Sequence, residues 1–389
     1  MNRTAKTILI ILAALSLIAL VKRNYIRREV FENRVPRWGF SQWLRNRDSS
    51  PLPQPGQSNT PKPSTPGISD QEIILLAENG GRVDWGKNNK VLFDRRGTDD
   101  YYDVYLSDNL TDLNSARCLT CGKPEFDRKH AGNPAWHPDG NYIIFQAQAG
   151  GNDNLAAPGK GANNDLWATN AAGSQFWRIL DLTDQQTYGV LHPHFSHNGT
   201  KLTWAQLIAG GELFGKWQIS LADFSVQNGT PRLTNIKNFK PGNNPKFYET
   251  HGFTKDDKQI IYSSNSDNQA TSGFDIYLLD INSGKTTNLT NSPNEWDEHA
   301  QLTRDGTKIM WSSSKGNPIM QNELWIMDLD GSNKSKLTDF HNRGKPYYVG
   351  NLAFGPADAS FSPDGKSFIT YVITDQTETG GRNYLVKLP

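Results

Sequence analysis

The sequence predicts an all-β protein: a six-bladed β-propeller of four-stranded antiparallel blades, closed by an N-terminal strand and preceded by a transmembrane anchor helix. Three observations lead there. A turn-and-strand motif recurs six times at intervals of roughly 49 to 59 residues, the mark of a repeat architecture. Each copy holds short apolar runs enough for four strands, and long helices are nowhere evident between residues 70 and 389. A separate apolar run lies near the N-terminus.

Residues 1–22 form the expected anchor. Their uncharged stretch, residues 7–21 (TILIILAALSLIALV), lies between Lys6 and Lys22. As a helix it spans roughly 22 Å against about 30 Å of bilayer hydrocarbon. Flanking lysines and arginines snorkel to make up the difference, and no A-x-A-like cleavage site follows Leu17, so an uncleaved anchor is expected. Residues 23–47 are basic and carry Trp38, Phe40 and Trp43, which suits a segment at a headgroup surface. Residues 48–69 hold six prolines among Ser, Thr, Gly and Gln; they cannot form a core and read as an extended tether. The propeller is expected over residues 70–389.

The copies are "WHPDGNYIIF" (136–145), "FSHNGTKLTW" (195–204), "FTKDDKQIIY" (253–262), "LTRDGTKIMW" (302–311) and "FSPDGKSFIT" (361–370), with "WGKNNKVLF" (85–93) as a shortened first one. Asp-Gly and Asn-Gly supply the positive φ that a two-residue hairpin loop needs. A later strand places an acid before an aromatic, as at Asp103, Asp165, Asp275 and Glu323, and a Leu-Thr strand end follows at Leu119, Leu233, Leu289 and Leu337. Closing six such sheets into a ring hides their edges. The last copy runs out after its third strand, and residues 72–77 (EIILLA) are a strand without a blade, so they are expected to complete the last blade as a clasp.

The "SPDGK" hairpins followed by Asp-[Ile/Leu]-aromatic strands resemble TolB-type, WD-like propeller repeats over about 320 residues. The resemblance implies a periplasmic, protein-binding role, although no separate N-terminal domain of the TolB kind precedes the first blade. Propellers host binding modules, lyases and hydrolases alike, so function has to come from a site.

In such propellers the strand before the Asp-Gly turn lines the central channel, and its start, on the face opposite that turn, is where function collects. Three residues back from the aromatic or Leu of each copy stand Arg82, Asn133, His192, Thr250, His299 and Asp358. Neighbouring positions add His194, Glu249, His251 and Glu298. This set is the expected ligand-binding ring. His192, His251 and His299 are candidate ligands for a divalent metal, since imidazole and carboxylate suit Mn, Fe or Zn. Glu249 and Glu298 are candidate catalytic carboxylates. A fainter resemblance to oligogalacturonate-lyase propellers implies a histidine metal site at such strand starts, but Gly189 stands where a glutamine would be sought. The loop at 149–164 (AGGNDNLAAPGKGANN) reads as a floppy insertion near the mouth. Tyr188, Tyr248, Trp296, Tyr347 and Tyr348 are candidates for stacking there.

The balance of 41 Lys+Arg against 40 Asp+Glu gives no basic field, and no nucleic-acid partner is expected. There is no G-x-S-x-G elbow, P-loop, G-x-G-x-x-G or H-E-x-x-H. Cys118 and Cys121 form a lone C-x-x-C, for which a local disulfide is the expectation in an oxidising compartment and a pair of free thiols the alternative. These features together predict a monomeric, membrane-tethered binding or scaffold module that engages a protein or glycan at its His-rich face. The competing expectation is a metal-dependent lyase or hydrolase acting on acidic oligosaccharides. The arginines after the anchor favour a cytoplasmic propeller. The cysteine pair and the TolB resemblance favour an extracytoplasmic one, periplasmic or extracellular, and that is the side expected.

Overall fold

The computed structural model describes residues 72–151, 153–210, 215–242, 246–267, 273–375 and 380–388. The anchor expected at 1–22, the basic segment at 23–47 and the linker at 48–69 lie outside them. Among the described residues no helix is long and apolar enough to cross a membrane.

Among the described residues 24 strands form six four-stranded antiparallel sheets, the first strand, β1 (Ile73–Ala77), included. Blade 1 is β2 (Val83–Trp85), β3 (Val91–Arg96), β4 (Tyr102–Ser107) and β5 (Arg117–Cys118). Blade 2 is β6 (Ala131–Trp136), β7 (Tyr142–Gln148), β8 (Asn164–Asn170) and β9 (Phe176–Leu180). Blade 3 is β10 (Val190–Phe195), β11 (Lys201–Ala209), β12 (Lys216–Gln227) and β13 (Thr230–Phe239). Blade 4 is β14 (Tyr248–Phe253), β15 (Gln259–Ser264), β16 (Asp275–Asp280) and β17 (Thr286–Asn288). Blade 5 is β18 (Asp297–Leu302), β19 (Lys308–Ser313), β20 (Glu323–Asp328) and β21 (Ser335–Lys336). Blade 6 is β22 (Gly355–Phe361), β23 (Ser367–Ile373) and β24 (Gly381–Lys387), with β1 as its outermost strand.

The clasp therefore forms as the sequence predicts, with Ile73 opposite Val386 and Leu75 opposite Tyr384. Side chains fasten the joint. Asn383 accepts from the Gly81 N–H at 3.1 Å and donates to the Gly81 carbonyl at 2.9 Å, and Ser360 Oγ accepts from Trp85 N at 2.9 Å.

The repeated motif has a backbone cause. Its fifth position has positive φ in every copy: Gly140 (78°), Gly199 (74°), Gly306 (79°) and Gly365 (71°), with Asp257 (58°) and Asn89 (56°) in the other two. Asp and Asn are the side chains that tolerate this region best after Gly. The acid before the aromatic has a different task. Asp103, Asp275 and Glu323 each accept a hydrogen bond from the hydroxyl of the Leu-Thr turn that follows, which pins the outer strand to the blade. Apolar faces of adjacent blades make the core, including the fully buried Phe93, Phe145, Trp204, Tyr262, Trp311 and Phe368.

Candidate functional site

The innermost strands are bulged at one level. Register shifts fall between Gly132 and Ala135, Leu191 and His194, Thr250 and Phe253, Glu298 and Gln301, and Pro356 and Ala359. A bulge sets two residues against one and re-aims side chains. Asn133, His192 and His299 sit there with φ of 48°, 47° and 53°. Left-handed backbone at a non-glycine residue costs on the order of 1–3 kcal/mol and gathers at functional sites.

Around the axis five side chains form a circuit. Asp358 Oδ1 lies 3.6 Å from Nδ1 of His192 and 3.4 Å from Nδ1 of His299. His192 Nε2 is 3.0 Å from Glu249 Oε1, and His299 Nε2 is 3.5 Å from Glu298 Oε2. Glu249 and Glu298 close the circuit, since with His299 they bring three ligand atoms within 4.8 Å of one another. His192, Glu249 and His251 do the same, as do His192, His299 and Asp358. The imidazole centroids of His192, His251 and His299 are 5.9 to 6.2 Å apart. Arg82 Nε approaches Asp358 at 3.5 Å.

Close in distance, these groups are poorly aligned for hydrogen bonding. Buried His192 Nε2, His299 Nδ1, Glu249 Oε2, Asp358 Oδ2 and Arg82 Nε have no hydrogen-bond partner. Leaving so many polar atoms unsatisfied is costly and calls for an explanation such as a bound ion. Two ligands about 2.1 Å from one ion lie roughly 3 to 4 Å apart, which these triads fit with small side-chain adjustments. The arrangement accordingly suits a divalent cation on mixed imidazole and carboxylate donors.

Burial divides the protonation states. It pushes His192 and His251 well below the ordinary imidazole range, with Asp358 only partly offsetting this at His192. Burial also works against charge on His299, but Asp358 and Glu298 outweigh it and hold the ring above its usual value. Asp358 is held well below the carboxylate range despite burial, by His192, His299 and Arg82. Glu249 is driven well above that range by burial, then by Glu298 and Asp358. Burial thus disfavours charge on His192, His251 and Glu249, while His299 and Asp358 favour each other's charged forms.

The site has a built surround. His251 Nε2 is 2.9 Å from Ser263 Oγ, and Glu298 accepts from the Trp296 indole N–H at 2.7 Å. Phe354 packs edge-on against His299, with centroids 6.2 Å apart. A narrow cavity of about 60 Å³ among Arg82, His192, His194, His251, His299 and Asp358 lies beside a wider one of about 330 Å³. The two share Asp84, Ala135, His194, His251 and Gln301. The wider cavity runs to the hairpin turns, past Lys87, His137, His197, Lys255 and Arg304. This funnel is on the turn face, opposite to the face the sequence suggested.

The 149–164 loop also differs from expectation. Among its described residues Pro158 is buried, and its carbonyl accepts from Asn133 Nδ2 at 3.0 Å and Gln146 Nε2 at 3.3 Å. Gly132 has no room for a Cβ because the Pro158 ring packs against it. The described residues 155–164 of this loop form a packed cap over blade 2, with Ala156 and Pro158 buried and backbone N–H groups such as those of Ala162 and Asn163 paired.

The structure thus brings His192, His251, His299, Glu249, Glu298, Asp358 and Arg82 together. His194 lines the funnel, its ring 6.3 Å from that of His192. Two of the expected ring residues are turned to structural use. Thr250 donates its hydroxyl to the His192 carbonyl at 2.7 Å, and Asn133 gives its amide to Gln146 Oε1 at 2.6 Å and to Pro158. Of the candidate stacking aromatics, Tyr248, Trp296 and Tyr347 are buried. Asp94, on the second strand of blade 1, escaped sequence reasoning. It accepts from the backbone N–H groups of Arg82 at 3.0 Å and Asn133 at 2.8 Å, and burial pushes its carboxyl up to about 6 against the pull of Arg82. The signal was an acid inside an otherwise apolar strand start, VLFD. Cys118 and Cys121 are joined as a disulfide at the outer edge of blade 1.

No family model matches the chain. Over 126 residues it is 33% identical to an uncharacterized protein of Agrobacterium fabrum, a match that spans 32% of this chain and 37% of that relative. Among solved structures it is similar to TolB from Acinetobacter baumannii, at 17% identity and a TM-score of 0.47 over 80% of this chain and 65% of that one. It is also similar to an oligogalacturonate lyase in complex with manganese, at 14% identity and 0.44, over 82% and 91% of the two chains. A puromycin-hydrolyzing peptidase of Mycobacterium tuberculosis gives 14% and 0.49, over 77% and 43%. The six-bladed propeller assignment rests on the strand pairing itself.

Proposed function

We propose that this protein is a membrane-tethered propeller that binds a divalent metal ion in its axial channel, with His192, His251 and Glu249 as primary ligands. His299, Glu298 and Asp358 complete the charge balance around it. The observation that carries this reading is a set of orphaned buried polar atoms in two overlapping triads: His192 Nε2 and Glu249 Oε2 in the one with His251, and His299 Nδ1 and Asp358 Oδ2 in the one with His192, lack hydrogen-bond partners. Neutral imidazoles are ready to coordinate, and a dication offsets the cost of the crowded carboxylates. Nitrogen and oxygen donors point to Mn, Fe or Zn.

The funnel supports an anionic ligand for that ion. Lys87, His137, His197, Lys255 and Arg304 line it together with Trp85 and Trp136, a mixture suited to an acidic glycan. We place recognition ahead of turnover. A lyase or hydrolase needs a carboxylate free to act as base, whereas this reading uses Glu249 as a metal ligand, and Glu298 accepts from the Trp296 indole N–H. The tether reading rests on residues 7–21 and their basic flanks, and the extracytoplasmic side on the cysteine pair.

Dialysis of the full chain against Mn²⁺, Fe²⁺ or Zn²⁺, followed by elemental analysis, tests the reading. Stoichiometric retention by the native chain, lost in His192→Ala and His251→Ala, is the expected result. Equal metal content in native and variant chains would remove it. Binding of an oligouronate that needs the metal would support the ligand class, and metal-independent binding would sink it.

A further inference from the structure

The chain's two cysteines form a disulfide at the rim of blade 1, and the other blades reveal what that turn requires without one. In blade 1 Thr120 Oγ1 donates to Asp103 Oδ1 at 2.6 Å and accepts from Val104 N at 3.0 Å. In blade 4 Thr290 donates to Asp275 at 2.9 Å and accepts from Ile276 N at 3.0 Å. In blade 5 Thr338 donates to Glu323 at 2.8 Å and accepts from Leu324 N at 2.9 Å. The preceding leucines, Leu119 and Leu289, are both buried.

What varies is the pair flanking Leu-Thr. Blade 4 has Asn288 and Asn291, where Asn291 N donates to Asn288 Oδ1 at 2.9 Å. Blade 5 has Lys336 and Asp339, an ion pair at 2.7 Å. Blade 1 has Cys118 and Cys121, where Cys121 N lies 3.0 Å from Cys118 Sγ in the same geometry as the blade 4 asparagines. Two of three equivalent turns therefore close without a covalent bond. The ring so formed is also short, and short rings remove the least entropy from the unfolded chain. A dithiol state has its place prepared. At the position of Cys118, Asn288 donates to Asp275 Oδ2 at 2.9 Å, and Asp103 brings a carboxylate oxygen within 4.8 Å of both sulfurs. Cys121 is exposed, with Tyr105 Oη 3.5 Å from its sulfur, while Cys118 is half-buried.

We infer that Cys118–Cys121 is an exchangeable, redox-active disulfide at the rim of blade 1, reduced by small thiols of the glutathione class while the propeller stays folded. Exposed disulfides outside a structural role are the labile ones. A thiol loses its proton and its thiolate attacks Cys121 Sγ. The Cys118–Cys121 bond breaks, a mixed disulfide forms on Cys121, and Cys118 departs as a thiolate that takes up the proton. A second thiolate attacks the small-molecule sulfur of the mixed disulfide, freeing Cys121 as a thiolate that is then protonated. Two thiols are oxidised to one disulfide, and the protein disulfide gains two electrons.

Incubation of the oxidised full chain with reduced glutathione in native buffer, followed by alkylation and peptide mass mapping, tests this. Both cysteines are expected to become alkylated without denaturant, and trapped glutathione is expected on Cys121. Thermal unfolding of the reduced chain and of Cys118→Ser/Cys121→Ser is expected at the temperature of the oxidised chain. Reduction that needs denaturant, glutathione trapped on Cys118 instead, a lowered unfolding temperature, or a double variant that fails to fold would each overturn the inference.

Discussion

Glu249 holds a carboxyl oxygen 3.0 Å from Nε2 of His192 on the adjacent blade, with both side chains buried in the channel. Neither blade alone contains this contact, so it exists only because blades 3 and 4 pack β10 directly against β14.

Replacing a primary ligand should weaken metal binding strongly. Glu249→Gln and His192→Ala are expected to lower affinity by more than the roughly 10- to 100-fold that follows loss of an outer-shell partner. Ser263→Ala, which removes only the group 2.9 Å from His251 Nε2, should fall at the low end of that range. Arg382→Ala, in the outlying pair with Glu78 on blade 6, serves as a control outside the ligand set. Competition with a chromogenic chelator measures all four, and equal affinity in native and Glu249→Gln chains would contradict the ligand assignment.

Metal affinity should rise with pH. Burial and Glu298 keep the proton on Glu249 well above the usual carboxylate range, so coordination there must release it. His192 and His251, pushed below the ordinary imidazole range by burial, are already neutral at pH 7 and add no such dependence near neutrality. Calorimetric titrations in buffers of different ionisation enthalpy count the protons released. Proton uptake on binding, or affinity that falls as pH rises, would run against this.

The clasp should be sensitive at one side chain. Asn383→Ala removes both bonds to the buried Gly81 backbone and is expected to cost about 1–3 kcal/mol in urea unfolding. Arg382→Ala, which gives up an exposed pair with Glu78, should cost less than about 1 kcal/mol. Equal costs would mean that the joint is not fastened at Asn383.

Asp297 should imprint a pH dependence on stability. Burial pushes its carboxyl up to about 6, against hydrogen bonds from Ser292, Ser313 and Trp311. A carboxyl whose folded value lies above its unfolded one favours folding in its protonated form. Its penalty is therefore full above about pH 6 and fades as the pH falls towards 4, a change of up to about 3 kcal/mol. Unfolding of native protein and Asp297→Asn across that window should converge at the acid end, with Asn the more stable at neutral pH. Parallel profiles would contradict the assignment.

Much of the scaffold was legible because its signals are local. Gly140, Gly199, Gly306 and Gly365 mark turns that need positive φ, and Asp103, Asp275 and Glu323 mark strands pinned to a Leu-Thr turn. The clasp followed from a blade one strand short. The level of the site was legible too, since counting back from Phe195 and Leu302 lands on His192 and His299. Its facing was not. Whether Thr250 or His251 enters the channel depends on the bulge before Phe253, and one extra residue in a strand exchanges its faces. Cap and funnel depend on where loops fold: nothing in the residues at 149–164 foretells that the Pro158 carbonyl will meet Asn133.

The most direct test of the central claim is anomalous diffraction from crystals of the full chain grown with Mn²⁺ or Zn²⁺, recorded at the absorption edge of the metal. The account predicts a peak on the propeller axis within about 2.0–2.3 Å of donor atoms of His192, Glu249 and His251. A crystal that is saturated with metal yet has no peak there, or has its strongest peak away from these three residues, would contradict it.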